Sequence, residues 1–415
     1  NSFCICPFHR PKNTKNCMKL VLITQITPAS ENVRGTSALP YHLMVHRPAD
    51  VEIIIYSFNG NQLSDTKIKE VEEELNVTIK LLPRPTWQSW VLRLHLLFIR
   101  VLLKYPLFNY MRLPSKVVEE IKGLQPDGIW VYGQDISRVT KQFAGFKRVH
   151  TLPDCESLYY YRMLGRRFVF KDRMMFMRNM VMYPKYLRME GAYENSAMVR
   201  YHLVGEADAE SLRNVNPGIQ AHFLRHPHYN VAEPQKQIAF SRPKIRLLVA
   251  GQNNLYMKES AEEAFDMMSR AVDQLKGHYE ITFLGRGWES TVARLKDAGY
   301  DVAQITFAPD YIEEVRKHDV QFTPISIGTG TKGKVLDALA NGLLVVGTPY
   351  ALENIAVENG VSCVEYRSNE ELLAALTDIS LNVEKYEVMA ETGREAIFRE
   401  HGRKRISQQL MGLFK

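Results

Sequence analysis

The chain has 415 residues, which is enough for two or three domains with separate cores. Apolar residues make up 45% and charged residues 24%, so the composition excludes a disordered, collagen-like or coiled-coil protein. The 53 Lys and Arg exceed the 46 Asp and Glu by 7, which indicates an anionic partner and leaves membrane, nucleic acid and phosphate-bearing substrate open.

Residues 1–17 are rich in Pro, Asn, Lys and Cys and show no periodicity. We expect them to be a leader or upstream segment and Met18 to open the folded part. The alternative is a zinc site, for which the usual paired Cys-x2-4-Cys spacing is missing. Its ligands would be Cys4, Cys6, His9 and Cys17.

Export and membrane insertion are not predicted. The sequence has no run of about 18 uncharged apolar residues and no signal-peptide pattern. Of the five cysteines, only Cys155 and Cys363 follow Met18, which argues against a disulfide framework. We therefore expect a cytoplasmic location.

From Met18 onward, short β-branched runs alternate with helical stretches. In chain order the pattern predicts a strand, a second strand, a helix, a third strand, a long apolar stretch and a further strand. They span residues 19–24, 51–58, 66–75, 77–82, 87–105 and 128–132. Such alternation is typical of parallel βαβ units.

A polar, Pro-bearing segment over residues 229–243 interrupts this pattern and is the predicted linker. A second series of strands follows, each with a helical stretch after it. These strands are predicted over residues 245–250, 279–284, 320–326, 343–347 and 361–366. We therefore predict an α/β protein with two doubly wound domains, 18–230 and 231–390, that face a cleft, and a C-terminal helix over 391–415 that returns to the first domain.

The most informative segment is the loop over residues 328–334, of sequence GTGTKGK, between a predicted strand and a predicted helix. Its backbone N–H groups and the positive end of the following helix form an anion site. Lys332 and Lys334 add positive charge, and Thr329 and Thr331 add hydroxyl donors. The alternative is a plain turn with flexible glycines.

The same seven residues fit the beginning of a P-loop. Position 335 is Val, so the hydroxyl that binds Mg²⁺ is missing, and no strand ending in Asp follows. An NTPase is therefore not predicted.

Residues 328–348, GTGTKGKVLDALANGLLVVGT, resemble the signature of the group 1 (family 4) glycosyltransferases in its G-T-G-x-K form. Further matches include residues 151–157, 204–208 and 283–287. The resemblance implies a GT-B fold of two Rossmann-like domains and a nucleotide-sugar donor held mainly by the C-terminal one. It also implies retention of the anomeric configuration.

The resemblance implies a donor site made of the loop and a few residues outside it. Asp337 matches the position whose Glu binds ribose hydroxyls, and its alternative is a pair with Lys334 on a solvated helix face. The first Glu of the family's E-x7-E motif would fall at Thr329, so it is absent here. The complete donor-binding prediction is Gly35, Lys258, Arg286, Gly328, Thr329, Gly330, Thr331, Lys332, Lys334 and Asp337.

Two carboxylates are the candidate catalytic residues. Asp154 takes the place of the His-Asp of many relatives, and its alternative is an N-cap of the helix from Cys155. Glu353 follows the next strand, and its alternative is a residue at a helix start. We expect no metal and no cofactor, because lysines and loop amides supply the positive charge that a metal would bring to the leaving pyrophosphate.

Positive charge is concentrated in one segment, residues 84–188, where 19 Lys and Arg face 7 Asp and Glu, a net +12. Within it, residues 87–105 place Arg93, Arg100 and Lys104 on one stripe of a predicted helix, as in a helix that lies in a membrane interface. The alternative is a helix in the core of the domain with one solvent-exposed side. No nucleic-acid-binding module is recognisable.

Together these features predict a cytoplasmic glycosyltransferase, peripheral on the inner face of the membrane. It would move a sugar from a nucleotide-diphosphate donor to a saccharide or polyprenyl-linked acceptor in surface polysaccharide or glycan synthesis. A GT-B nucleotide-sugar epimerase and a basic membrane- or nucleic-acid-binding protein on a non-catalytic GT-B fold remain alternatives.

Overall fold

The computed structural model describes residues 17–83 and 85–415. The predicted leader, except for Cys17, and the zinc ligands Cys4, Cys6 and His9 lie outside the described residues. Cys17 is exposed and carries a free thiol.

The first domain is built on a seven-stranded parallel sheet. The strand order is β3-β2-β1-β4-β5-β6-β7. The strands are β1 Met18–Thr24, β2 Val51–Ser57, β3 Thr78–Leu81, β4 Gly128–Tyr132, β5 Arg148–Leu152, β6 Val199–Leu203 and β7 Ala221–Phe223. Residues of β4 and β5 are buried throughout, as expected for a sheet covered by helices on both faces.

The second domain contains a six-stranded parallel sheet with the order β10-β9-β8-β11-β12-β13. Its strands are β8 Ile245–Ala250, β9 Tyr279–Leu284, β10 Asp301–Ile305, β11 Val320–Thr323, β12 Leu344–Gly347 and β13 Val364–Glu365. The strand order reverses direction next to β8 and β11, and ligands of open α/β sheets bind at such a switch point.

Helices cover both faces of each sheet. In the first domain they are α1 Ala38–Met44, α2 Asp65–Leu75, α3 Thr86–Arg93, α4 Ser115–Gly123, α5 Glu156–Leu164, α6 Arg173–Gly191 and α7 Glu206–Val215. After the linker come α8 Lys258–Arg270, α9 Val272–Leu275, α10 Glu289–Asp297, α11 Tyr311–Arg316, α12 Gly333–Ala340, α13 Pro349–Leu352, α14 Asn369–Leu381, α15 Val383–Glu400 and α16 Arg403–Gly412. Short 3-10 helices lie at Leu96–Val101, Leu107–Tyr110, Gln134–Phe143 and Phe170–Asp172.

The predicted α2 is confirmed, and its start has a clear cause. The Ser64 side chain accepts a hydrogen bond from the Lys67 amide, which is the usual N-cap contact. Ile68, Val71 and Leu75 are spaced by three and four residues, so they form one buried face against the sheet.

The prediction of one helix over residues 87–105 is wrong. Helix α3 ends at Arg93, and His95 has the left-handed backbone φ of 53°, which an α-helix does not accommodate. A 3-10 helix then follows from Leu96. The stripe of Arg93, Arg100 and Lys104 calculated for a continuous helix therefore does not form.

The C-terminal helices connect the two domains. Helix α15 packs on the second domain through Tyr386, Met389 and Ala390, so residue 390 lies inside an element rather than at a boundary. Helix α16 instead joins the core of the first domain through Ile406, Leu410 and Met411. The chain therefore crosses back between Glu400 and Arg403.

Candidate functional site

A cavity of about 730 Å³ lies between the two domains, where strands of both sheets end. The second domain contributes the predicted loop together with the residues that follow β8. The first domain contributes residues from the start of α5 and from α6. The lining comprises Asp154, Glu156, Tyr159, Tyr160, Arg178, Tyr186, Ala250, Gly251, Gln252, Asn254, Tyr256, Met257, Thr323, Ile325, Ile327, Gly328, Thr329, Thr331, Lys332, Gly333, Lys334 and Val335.

The loop has the local structure that its sequence predicts. It connects the end of β11 with α12, which begins at Gly333. Gly330 has a φ of 64°, a backbone conformation that side-chain-bearing residues rarely adopt. Glycine at this position lets the loop turn sharply, so that the amino end of α12 meets the cavity.

Lys332 braces the loop. Its Nζ donates hydrogen bonds to the backbone oxygens of Thr329, at 2.8 Å, and Gly330, at 3.0 Å. Burial lowers the pKa of Lys332, whereas the charges of Glu353 and Asp154 raise it. The lysine thus brings positive charge to the cavity wall while its side chain holds the loop closed on itself.

Lys334 and Asp337 lie one turn apart on α12 but have different environments. Lys334 lines the cavity, and its Nζ lies 5.5 Å from the centre of the Tyr311 ring. Asp337 is buried and does not line the cavity, and this burial raises its pKa to about 7. The alternative of a solvated helix face is therefore wrong, because the carboxyl lies inside the protein next to Asn230 of the linker.

Asp154 faces the loop from the first domain. Its carboxylate accepts a hydrogen bond from Thr329, and a Cβ added to Gly330 would lie 2.2 Å from Asp154 Oδ1. Burial raises the pKa of Asp154, whereas the charge of Lys332 lowers it. The alternative in which Asp154 caps α5 is wrong, since the N-cap is Cys155.

Asp208 links the two domains and was assigned no such role from the sequence. Its Oδ1 accepts a hydrogen bond from the Cys155 amide at 2.8 Å, and its Oδ2 accepts one from the Gly330 amide at 3.2 Å. The segment 204–208 matches the family signature, and this was the only sequence signal. The carboxylate therefore fixes the loop against the start of α5.

Glu353 does not line the cavity but holds its edge. Both of its oxygens accept hydrogen bonds from Arg162, at 2.7 and 2.8 Å. The Arg162 guanidinium also donates to the Gly328 backbone oxygen at 2.6 Å. Glu353 follows the end of α13, so the alternative of a helix start is wrong. No sequence signal pointed to Arg162.

Glu156 is a second cavity residue that sequence reasoning missed. Its Oε1 accepts a hydrogen bond from Gln134 Nε2 at 2.6 Å. Burial raises the pKa of Glu156 to about 8, so at neutral pH its carboxyl is mostly protonated and is a hydrogen-bond donor. Two carboxyls in the same wall, at Asp154 and Glu156, thus offer different chemistry.

Five of the ten predicted donor-binding residues do not line this cavity: Gly35, Lys258, Arg286, Gly330 and Asp337. Gly35 lies in the loop after β1, and Arg286 lies exposed in the loop after β9. Lys258 begins α8, where its Nζ lies 4.0 Å from a carboxylate oxygen of Glu262.

Within residues 17–83 and 85–415, no group of three or more His, Cys, Asp and Glu is arranged to hold a metal ion. None of the helices described is both long enough and apolar enough to cross a membrane.

Comparison with known proteins agrees with this geometry. Residues 246–382 match the family described as "Glycosyl transferases group 1". The match includes the loop and nearly all of the second sheet. No curated protein sequence matches the chain.

Solved structures resemble the whole chain. Anabaena Alr3699/HepE in complex with UDP has a TM-score of 0.60 at 11% identity, over 95% of this chain and 99% of that one. A glycosyltransferase from Rickettsia africae ESF-5 has a TM-score of 0.61 at 11% identity, over 97% and 98%. Sucrose-phosphate synthase from Thermosynechococcus elongatus has a TM-score of 0.60 at 12% identity, over 96% and 98%.

Two doubly wound domains that face a cleft define the GT-B class of proteins, which confirms the predicted fold. The part of the chain that matches the group 1 glycosyltransferase family, residues 246–382, is the domain that carries the loop 328–334.

Proposed function

We propose that the protein transfers a sugar from a nucleotide-diphosphate donor, bound in the interdomain cavity, to a saccharide acceptor. The observation that carries this proposal is the position of the loop 328–334. Its amides, the amino end of α12 and Lys334 line one wall of the cavity, opposite Asp154 and Glu156 of the other domain.

Size and charge support a nucleotide-sugar donor. A cavity of about 730 Å³ is within the range of small-molecule sites, about 300–1,000 Å³. A helix amino end favours phosphate because its N–H groups and dipole face the anion. The similar Anabaena protein is described in complex with UDP-glucose, at a TM-score of 0.57 and 12% identity.

We further propose that transfer is metal-independent and retains the anomeric configuration. Departure of a nucleoside diphosphate requires positive charge on its oxygens. Lys334, the loop amides and Lys332 offer this charge from fixed positions, so little reorganisation is needed during the reaction. Retention rests on the family resemblance alone.

The acceptor would bind against the wall of the first domain. Tyr159, Tyr160 and Tyr186 line this part of the cavity, and their rings offer apolar faces while their hydroxyls offer hydrogen bonds. Glu156 and Arg178 add polar contacts. A wall of this kind suits a sugar ring, which has both apolar and hydroxyl-bearing sides.

A lipid-linked acceptor and a peripheral position on the membrane, in polysaccharide synthesis, are the finer part of the proposal. Trp90, Leu94, Phe98 and Leu102 are exposed in the segment 86–102, and Leu102 has 83% of its surface accessible. Such apolar side chains within a basic region favour an anionic bilayer. Co-sedimentation with anionic liposomes should weaken as salt rises, and absence of binding at every salt concentration would contradict it.

The central test is nucleotide binding by isothermal titration with UDP. Lys334→Ala should weaken binding at least about tenfold, since an ion pair with phosphate is lost in a partly buried site. Lys296→Ala removes an exposed lysine from α10 of the same domain and should change the affinity less than about twofold.

Other outcomes separate the alternatives. If none of the common nucleoside diphosphates binds the wild-type protein, the transferase proposal fails and a non-catalytic binding protein is favoured. Conversion of a free nucleotide sugar without any acceptor would identify an epimerase instead.

A further inference from the structure

A second cavity, of about 270 Å³, lies within the first domain and shares no lining residue with the interdomain cavity. It is bounded by the end of α6, the 3-10 helix over residues 134–143 and the segment 105–112. We call it the α6-end pocket. It is much smaller than the interdomain cavity, so it suits a small group rather than a nucleotide sugar.

Positive charge dominates the lining. Arg112, Arg138 and Lys141 all line the α6-end pocket. Its one carboxylate, Glu194, is already neutralised by Arg148, whose guanidinium nitrogens lie 2.6 and 2.8 Å from the two oxygens. Across the described part of the chain, no salt bridge involves any of the three lining cations.

Arg138 is held in a fixed orientation. Its guanidinium carbon lies 4.8 Å from the centre of the Tyr105 ring and 4.7 Å from that of the Tyr110 ring. Its Nε donates to Asn109 Oδ1 at 3.1 Å. Two aromatic contacts and one hydrogen bond fix the plane of the guanidinium, which prepares its remaining N–H groups for an anion.

A buried neutral donor completes the pocket. Tyr193 lines it with only 7% of its surface exposed, and the Tyr193 hydroxyl has no hydrogen-bond partner among the described residues. The ring is fixed by stacking on Tyr201 with 5.3 Å between centroids. Buried hydroxyls are nearly always paired, so an unpaired one in the lining of a pocket with three cations indicates that a ligand oxygen belongs there.

The pocket adjoins the exposed apolar segment. Lys185 of α6 donates a hydrogen bond to the Val101 backbone oxygen at 3.2 Å, and it also contacts the Leu103 backbone oxygen. Val101 and Leu102 are exposed here, three or four residues before the pocket residue Tyr105. An apolar surface beside a small cationic pocket is complementary to a phospholipid, because the surface can contact the acyl chains while the pocket binds the phosphate of the headgroup.

We propose that the α6-end pocket binds a phosphate group, as carried by an anionic lipid headgroup or by free phosphate. Two arginines can each offer a pair of N–H donors to phosphate oxygens, and Lys141 and Tyr193 supply further donors. This proposal does not depend on the activity proposed for the interdomain cavity.

The test uses the whole protein and two charge-matched double variants. Arg112→Gln with Arg138→Gln removes two pocket cations, whereas Lys69→Gln with Lys116→Gln removes two exposed cations from elsewhere in the same domain. Each is sedimented with vesicles of 70% phosphatidylcholine and 30% phosphatidylglycerol, and its thermal unfolding is followed with and without inorganic phosphate.

The pocket variant should lose vesicle binding at least about tenfold while the control keeps most of it. If only the stabilisation by inorganic phosphate is lost, the ligand is free phosphate and the pocket is still confirmed. Equal behaviour of the two double variants in both assays would overturn the proposal. Arg112→Gln and Tyr193→Phe alone repeat the test if the double variant fails to fold, because Arg112 is exposed and Tyr193→Phe keeps the ring stack.

Discussion

At the scale of single residues, the site shows how neighbouring groups with the same chemistry acquire different roles. Asp154 and Glu156 are two residues apart and both line the interdomain cavity. Burial raises the pKa of both carboxyls, but Lys332 and Thr329 oppose this shift at Asp154, whereas only Gln134 opposes it at Glu156. The Asp154 carboxyl accepts a hydrogen bond from Thr329, whereas the Glu156 carboxyl, with a pKa of about 8, is mostly protonated at neutral pH.

Replacing Glu156 by Gln should change how stability depends on pH. Because its folded pKa, about 8, exceeds the ordinary 4.5, the folded state keeps a proton that the unfolded state releases between these values. This residue therefore makes the wild-type free energy of unfolding fall as pH rises from 4.5 to 8, by about 1.4 kcal/mol per pH unit at most. The free energy of unfolding of the Glu156→Gln variant does not decrease for this reason.

The measurement is thermal unfolding of both proteins at pH 5 and pH 8. Relative to the wild type, the variant should gain a few degrees in Tm at pH 8 compared with pH 5. Glu395→Gln, at an exposed position on α15, serves as the control and should show no such gain. The same difference in Tm at both pH values would contradict the assignment.

Only some of these residues were predictable. The loop residues Gly328 to Lys334 were predictable, because glycine, threonine and lysine in one short run indicate a site for an anion. Asp208 and Arg162 carry no such pattern, since a single Asp or Arg on an amphipathic helix is indistinguishable from a solvated one until its partner is known.

At the scale of elements, the loop between strand β11 and helix α12 has to satisfy two requirements at Gly330. Gly330 permits the turn through its φ of 64° and leaves room for Asp154. These are separate requirements, the first of the backbone and the second of the domain opposite.

Gly330→Ala tests both requirements. The left-handed conformation costs a side-chain-bearing residue about 1–2 kcal/mol, and the new Cβ would also meet Asp154 Oδ1 at 2.2 Å. We expect at least about tenfold weaker nucleotide binding and a lower Tm, because the loop has to move away from the first domain.

Gly360→Ala is the matched control, because Gly360 has a similar φ of 78° and no atom within 4 Å of an added Cβ. Gly360→Ala should lower Tm, because of the left-handed backbone conformation alone, and should leave nucleotide binding normal. Equal effects of the two substitutions on binding would mean that contact with Asp154 does not position the loop.

The segment 86–102, unlike the loop, has a local structure that the sequence did not predict. Its periodicity predicts one helix, and the structure has two short ones. The spacing of apolar residues indicates which face of a helix is apolar, but it does not indicate where the helix is interrupted. The left-handed residue His95 is the cause of the error, and histidine carries no strong preference for that conformation.

At the scale of the whole molecule, contacts from one domain to the other complete the site. Arg162 joins Glu353 and the Gly328 backbone oxygen, and Asp208 joins the Cys155 and Gly330 amides. The loop is therefore bound to the first domain in this closed arrangement, and domain opening has to break these contacts.

The pair of Arg162 and Glu353 should contribute measurably to closure. Side chains of the pair are 16% and 20% exposed, so solvent screens them only partly. A double-mutant cycle with Arg162→Gln and Glu353→Gln, measured by urea unfolding, should give a coupling free energy of about 1–3 kcal/mol. The radius of gyration from small-angle scattering should increase for either single variant.

The pair of Arg242 and Glu384 provides the control cycle. Its side chains are 58% and 78% exposed and lie on the second domain alone, so we expect a coupling of at most about 1 kcal/mol and no change in the radius of gyration. A coupling for Arg162 and Glu353 no larger than this would show that the pair does not hold the domains together.

The sequence by itself determined the fold class, the two series of strands and the glycine-containing loop between a strand and a helix. All of these depend on short-range patterns: periodicity of apolar residues, runs of β-branched residues, and glycines before a helix. It also determined that positive charge belongs to residues 84–188, because charge is counted along the chain.

Only the tertiary structure decided which residues meet across the cleft. It placed Glu156 and Asp154 opposite the loop and Glu353 beside Arg162. Within single domains it buried Asp337 away from the cavity and brought Arg112, Arg138, Lys141 and Tyr193 into one pocket. Contacts between residues more than a hundred positions apart follow from how the two domains dock. Short-range patterns of the sequence do not determine that docking.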